Sequence, residues 1–456
     1  MPVPTDAWTR IGAISSPAFS KDGKTLFHLR GTATPGTGLP QVWAMDADGA
    51  NPRPLSAHNE KVGFLRRAPT DDRLIWGIDA GGDERQQFWL LEPGGAPRAL
   101  TSAAEVIHEF GAWSPDGARI AFAANDRDET IFDIHVESLV TGERTRLLEG
   151  PGIVTVPSWS PDGGKLVMLH DHSSSDQRLF VLEVDGGGIV EVPRPGPTRF
   201  ASMRWVEAGA AIAGLTDIGG EDFMRLCRID PATGAATVLY AAPGRDVEAW
   251  SLSPDGTMLA TIENDRGYAV LRAGPIGTDR PAVDGLPQGI VADLAWSPDN
   301  TRLACTAQGP AAPPGIWLWE AGAIRPLARP DPLADAGIDP ASFVTPALVA
   351  WESFDGLRIP GWYAVPATPA PAAGYPAVVW VHGGPASQTR ANFRADIQML
   401  LDQGFAVLMP NIRGSTGYGR AYMEADELEK RPDCLHDLSA GRAWLAFCPD
   451  EERQQV

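Results

Sequence analysis

Through the first three quarters of the chain, apolar residues come in short runs of strand length, each closed by a polar turn, and no helical period is sustained. Ile120-Ala121-Phe122-Ala123 and Leu166-Val167-Met168-Leu169 are two such runs. The first follows Trp113-Ser114-Pro115-Asp116-Gly117 and the second follows Trp159-Ser160-Pro161-Asp162-Gly163. The phrase returns at Phe19-Ser20-Lys21-Asp22-Gly23, Leu252-Ser253-Pro254-Asp255-Gly256 and Trp296-Ser297-Pro298-Asp299-Asn300. Degenerate copies at Arg67-Ala68-Pro69-Thr70-Asp71 and Trp205-Val206-Glu207 fill the gaps. Measured at the serine position, the copies fall at 20, 68, 114, 160, 206, 253 and 297, in steps of 44 to 48 residues. That period suits one four-stranded propeller blade, so the pattern predicts an all-β seven-bladed propeller over residues 1–330.

The phrase has a local physical task. Proline fixes φ and glycine accepts positive φ, so Pro-Asp-Gly makes a tight turn. The apolar residue before the serine is expected to pack between neighbouring blades. Later strands recur as well, among them Gln41–Met45, Gln87–Leu91, Ile131–His135, Arg178–Leu182 and Gly315–Trp319. Trp43, Trp89 and Trp317 on these strands read as blade core, and Asp116, Asp162 and Asp255 as turn residues rather than catalytic carboxylates. His170-Asp171-His172 lacks a third spaced ligand and reads as a solvated loop after a strand, not a metal site. Asp83-Glu84-Arg85 and Asn125-Asp126-Arg127-Asp128-Glu129 read as charged loops at the channel mouth, of the kind that can hold a peptide's amino terminus.

The pattern changes after residue 330. Residues 331–344 are rich in Pro, Ala and Asp and read as a linker. Residues 345–456 then switch to α/β patterning. A hairpin is expected from Ala347–Ser353 and Leu357–Tyr363 around Asp355-Gly356. Pro376–Val381 is apolar on both faces, like a covered parallel strand. A helix over Arg390–Gln403, a buried strand over Phe405–Met409 and a helix over Asp437–Phe447, with Leu438 and Leu445 on one face, complete the series. This is the opening half of a doubly wound sheet. The turn His382-Gly383-Gly384-Pro385 follows a strand's carboxyl end, where backbone N–H groups can face an oxyanion.

Composition narrows the partners. The formal charge of −20 disfavours nucleic acid and anionic membranes. Cys227, Cys305, Cys434 and Cys448 form no Cys-x-x-Cys pair, so neither zinc nor a redox centre is expected, and no cofactor motif is present. The N-terminus has no basic-then-apolar leader, and no apolar run reaches membrane-spanning length, which makes the cytoplasm the expected location.

The propeller phrase, Val381-His382-Gly383-Gly384-Pro385 and Asn411-Ile412-Arg413-Gly414-Ser415-Thr416-Gly417-Tyr418-Gly419-Arg420 together resemble the prolyl oligopeptidase family of serine peptidases, in its acylaminoacyl-peptidase and dipeptidyl-peptidase-like branches. The resemblance covers nearly the whole chain. It implies a propeller that restricts an α/β-hydrolase to short peptides, and an oxyanion hole made partly by His382, Gly383 and Gly384. It also implies a Ser-Asp-His triad, for which this sequence has no matching positions. No Gly-x-Ser-x-Gly elbow occurs, and the family's nucleophile, acid and base would lie beyond Val456.

Ser415 and Ser387, with His382 and His436, are not expected to rebuild a triad. The sequence therefore reads as a catalytically incomplete relative of this peptidase family, expected to be inactive alone, with a complementing chain or a homo-oligomer as the expected partner. The residue 376–381 strand is expected to form an open edge. Residues 345–456 are expected to be poorly stable alone, whereas the propeller folds by itself. The alternative is a propeller-based protein-binding module.

Overall fold

The computed structural model describes residues 2–31, 38–384 and 386–447, and in it each serine phrase closes the hairpin between the first two strands of a sheet. The serine is buried and its hydroxyl donates to the aspartate two residues on, at 2.5–2.7 Å in all five full copies. Glycine then takes the left-handed conformation at φ 69–72°, and Asn300 does so at 63° in the last copy.

Seven sheets follow one another from Ala13 to Ala328. Six have four antiparallel strands. The sheet over Val247–Pro275 has three, with a single bridge between Arg272 and Ala282 where a fourth would run. The first strands of neighbouring sheets pack on one another and so surround the axis.

Blades are joined by one repeated device. Trp159, Trp250 and Trp296 each donate the indole N–H to a backbone carbonyl of the preceding blade, at 3.0–3.1 Å. An arginine just past the turn reaches the glycine carbonyl of the next blade: Arg73 to Gly117, Arg119 to Gly163, and Arg302 to Gly23. Each of these arginines also lies over the aromatic residue that precedes the next serine, Trp113, Trp159 and Phe19 respectively. The Arg302 tie joins the seventh blade to the first. The ring thus closes by side-chain packing, with Ile14, Phe19 and Leu26 against Ala304, Ile316 and Leu318. Trp317 and Trp89 sit in blade cores, as expected, and Trp43 lies half-buried beneath Arg30.

Two core histidines are expected to make the fold acid-sensitive. Burial pushes His28 and His108 down to about 4. They remain neutral in the fold where an unfolded chain takes up a proton. Their contribution to stability is complete above about pH 6.5 and is lost as pH falls from there toward 4. Urea midpoints should therefore decline over that window, and decline less in a His28→Gln/His108→Gln double variant. An equal decline in both chains would contradict this assignment.

The eighth sheet is the α/β part. Ala347–Glu352 pairs antiparallel with Arg358–Ala364, which pairs antiparallel with Ala406–Pro410. Ala406–Pro410 in turn pairs parallel with Ala377–Val379, the edge. The Pro376–Val381 run, apolar on both faces, was expected to form an open edge, and it does. It forms a strand of three residues only, with Ala377 and Val379 exposed and Val381 41% exposed, because among the described residues no further strand or helix covers it. No helix among the described residues is long and apolar enough to cross a membrane.

Other boundaries also differ from the sequence reading. The helix expected from Arg390 spans Ala395–Asp402, because residues 388–393 run against the propeller before it begins. The last helix begins at Asp433, not Asp437, and extends to Phe447. Its inner face is Cys434, Asp437 and Gly441, with Gly441 against the Trp351 ring; Leu438 and Leu445 are only half-buried. The stretch 331–344 is more than a tether. It contains a helix, Pro332–Ala336, capped by Asp331, and it buries Ile338 and Phe343 against Ala7 and Trp8.

The α/β segment is also in contact with the propeller and the N-terminus. Trp362 is fully buried, packs edge-on to Tyr268 of the sixth blade and lies beside Gly267. Phe393 meets Phe343, and the Val3 amide donates to Asp402 at 2.6 Å.

Candidate functional site

The Ala377–Val379 strand carries the chain to its carboxyl end, where the Trp380 amide still donates to the Leu408 carbonyl at 2.8 Å. His382, Gly383 and Gly384 follow, with both glycines exposed. Nothing lies within 4 Å of where a Cβ on Gly383 would stand, and Gly384 has φ +129°. Among the described residues neither glycine amide has an acceptor. Pro385 lies outside the described residues.

His382 is brought to Ser415, with Nε2 3.0 Å from the hydroxyl. The sequence reading did not foresee this contact. The pair does not have the form of a nucleophile and its base. Ser415 is completely buried, and its hydroxyl donates to the Ile412 carbonyl at 2.6 Å. The other ring nitrogen, Nδ1, faces the Gly383 carbonyl at 2.9 Å, where a triad would place a carboxylate. The contact instead fixes the 382–384 turn against the loop after Pro410. Ser387 is half-buried and accepts the Thr416 amide on its carbonyl. His436 is exposed and lies against Phe354. Among the described residues neither meets a base or a nucleophile.

The 411–420 loop is held from both sides. Asn411 is fully buried, accepts the Thr389 amide at 2.7 Å and donates to the Thr389 carbonyl and the Tyr418 hydroxyl. Arg413 is buried between Asp437 of the last helix and Asp355 of the hairpin turn, at 2.8–3.1 Å. The Arg413 guanidinium draws Asp355 down to about 2, and Asp437 holds Arg413 above the usual arginine value. Arg420 reaches across to Asp217 on the propeller at 2.6 Å, and its amide donates to the Asp222 carbonyl at 2.7 Å.

The glycine spacing of this loop follows from that docking. A side chain at Gly417 would enter the space of Asn264 and Gln388, and one at Gly419 would enter that of Asp222. The signal for these contacts was present in Gly-Tyr-Gly-Arg, but the propeller partners, Asn264 and Asp222, are far away in sequence.

The polar clusters take other roles. His170, Asp171 and His172 lie within the Lys165–Ser173 strand, not in a loop beyond it. Asp83 closes a local turn, accepting the Ala80 and Arg85 amides. Asp126 and Asp133 gather with His135 so that one ligand atom of each lies within 4.8 Å of the others, a grouping the sequence reading missed. Arg127 and Arg146 already supply cationic charge to Asp133, and Arg146 to Asp126. Cys227, Cys305 and Cys434 are buried and free, and Cys448 lies outside the described residues.

Comparison with known proteins matches both parts of this architecture. Residues 45–300 match the TolB beta propeller domain, and residues 391–449 match the prolyl oligopeptidase family. The chain carries a TolB beta propeller, and its α/β segment is similar to the prolyl oligopeptidase family. It is 24% identical over 448 residues to dipeptidyl aminopeptidase BIII of Pseudoxanthomonas mexicana, covering 93% of this chain and 63% of that protein. It is 23% identical over 331 residues to dipeptidyl-peptidase 5 of Porphyromonas gingivalis, covering 70% of this chain and 41% of that one. The chain thus spans less than two thirds of the length of these curated relatives.

Solved structures share the fold. One, from a structural and mechanistic study of two prolyl endopeptidases, superposes with a TM-score of 0.81 at 16% identity, covering 99% of this chain and 68% of its own. A puromycin hydrolase superposes at 0.80 with 22% identity, covering 100% and 74%.

Proposed function

We propose that this chain is the propeller and the opening half of the α/β-hydrolase sheet of a serine peptidase acting on short peptides. In this reading the turn His382-Gly383-Gly384 contributes to the oxyanion hole, and a strand adding to the open Ala377–Val379 edge brings the nucleophile. The observation that carries it is the pair of uncommitted amides at Gly383 and Gly384, at the carboxyl end of a parallel strand. That is where open α/β sheets place their ligands and where backbone N–H groups stabilise a developing oxyanion. Similarity to that family supplies the reaction class. The dipeptidyl-peptidase relatives make a short peptide the substrate to test first.

The test uses a dipeptidyl p-nitroanilide. The homogeneous chain alone should turn it over no faster than buffer. Adding a polypeptide with a Gly-x-Ser-x-Gly hydrolase half should restore turnover. In that complemented enzyme Gly383→Pro, which removes the amide proton, should lower kcat by about 10²–10³-fold. Turnover by the chain alone would overturn the placement of the nucleophile. An unchanged kcat in the Gly383→Pro enzyme would overturn the oxyanion role.

A further inference from the structure

The propeller channel contains a cavity of about 530 Å³, lined by the first strands of blades one, two, five, six and seven. Arg66 and Arg204 project into it from opposite parts of the ring. Both are accessible to channel water, yet both lie deep within the protein. Neither forms a salt bridge among the described residues. Among the described residues the Arg204 side chain donates no hydrogen bond and lies over the Trp250 ring, with its guanidinium carbon 5.7 Å from the ring centre. Arg66 donates once, to its neighbour's carbonyl at Leu65. The third arginine on the wall, Arg67, is already held by the Ala68 and Asp71 carbonyls.

The single carboxylate lining this cavity is Asp293, and it is committed elsewhere. It accepts the Thr306 hydroxyl at 2.7 Å and the Ser16 amide at 3.1 Å. Arg66 also borders a smaller cavity of about 190 Å³ that carries Glu84 and Glu109, so the positive zone is confined to the space that Arg66 shares with Arg204.

Two guanidinium groups without a salt bridge, facing one channel cavity with a single carboxylate, are unusual in a chain of net charge −20. Burial lowers the proton affinity of both, and Arg66 lowers that of Arg204 further. Arginine nonetheless stays charged at any ordinary pH, so the mutual repulsion is not relieved by deprotonation. An anion relieves it. The planar fork of each side chain suits the paired oxygens of a carboxylate or phosphate, and low-dielectric walls strengthen the attraction.

We propose that this cavity is an anion site in which Arg66 and Arg204 together hold a small oxoanion, phosphate or carboxylate. The site is separate from the Gly383–Gly384 turn and does not depend on the peptidase reading.

The full chain should bind inorganic phosphate at one site in calorimetric titration at low ionic strength. Arg204→Met and Arg66→Met should each weaken binding by at least about tenfold, the loss expected when one arm of a charge-assisted pair is removed. Asp293→Asn should tighten it, because a competing negative charge beside Arg66 is removed. Arg204→Met sacrifices no hydrogen bond, so in phosphate-free buffer it should melt no lower than the parent. Should one arginine variant fail to fold, the other and Asp293→Asn carry the same test.

Competition by triglycine but not by its C-terminal amide would identify a peptide carboxylate as the source. Phosphate binding without such competition would identify the free ion. No binding of either by the parent chain, or binding unchanged in both arginine variants, would overturn the proposal.

Discussion

Replacing Asp217 with alanine should loosen residues 415–427 from the propeller and destabilise the chain by about 3–5 kcal/mol, the range for breaking a buried ion pair from one side. Asp217 is completely enclosed. It accepts the Arg199 amide at 2.8 Å and Arg199 Nε at 2.6 Å, and it accepts Arg420 Nε and Nη2 at 2.9 and 2.6 Å. Its removal leaves two arginines, both mostly buried, without their shared counter-charge. The contact also joins blade five to the α/β segment, so the damage should be local as well as global. Urea denaturation measures the first effect, and limited proteolysis within 415–430 measures the second. Asp217→Asn keeps the shape and an acceptor but not the charge, and it should lie between parent and alanine variant. A midpoint within error of the parent for Asp217→Ala would contradict the role of this pair.

Arg413→Ala should cost a similar amount, about 3–5 kcal/mol, by a different route. Arg413 links three pieces of the α/β segment: the 411–414 turn, the hairpin turn at Asp355 and the last helix at Asp437. Asp437 is fully buried and also accepts the Ser353 hydroxyl at 2.6 Å and the Arg413 amide at 3.0 Å. Without the guanidinium its carboxylate keeps only neutral donors in a dry setting. The helix from Asp433 should then lose its docking, which hydrogen exchange over residues 433–446 reports directly. Arg413→Lys should rescue little, because an ammonium cannot present two parallel N–H groups to each carboxylate. Parent-like exchange and melting in Arg413→Ala would show that the helix is held by Trp351 and Trp444 packing instead.

The propeller was legible because each blade repeats one local rule. Trp-Ser-Pro-Asp-Gly combines a turn, a hydroxyl-to-carboxylate bond and an inter-blade ring, and all three lie within a few residues of one another. The ruler even located the copies at 68 and 206, where the serine is absent. The α/β segment was legible in order but not in extent. Arg390–Arg394 has helix-compatible composition, yet Arg390 pairs with Glu248 at 2.6 Å and the Phe393 amide is taken by Gln308, so tertiary contacts override the local preference. Asp437 reads as a helix start because acidic residues favour first turns, but here it is a mid-helix acceptor for Arg413.

Long-range pairs such as Asp217 with Arg420 leave no local trace. The Arg66 and Arg204 cavity is equally hidden, since only ring closure brings residues 66, 204 and 293 together. His382 with Ser415 shows the converse: both residues were visible as candidates, but burial of the hydroxyl and a carbonyl behind the ring decide their role.

In the proposed function these residues build the frame and oxyanion turn of a peptidase without presenting an activated serine. Intact-mass measurement of the purified chain after treatment with a fluorophosphonate, an active-serine reagent, tests it most directly. An unchanged mass is expected. Stoichiometric addition of one reagent, lost on Ser415→Ala or Ser387→Ala, would contradict it.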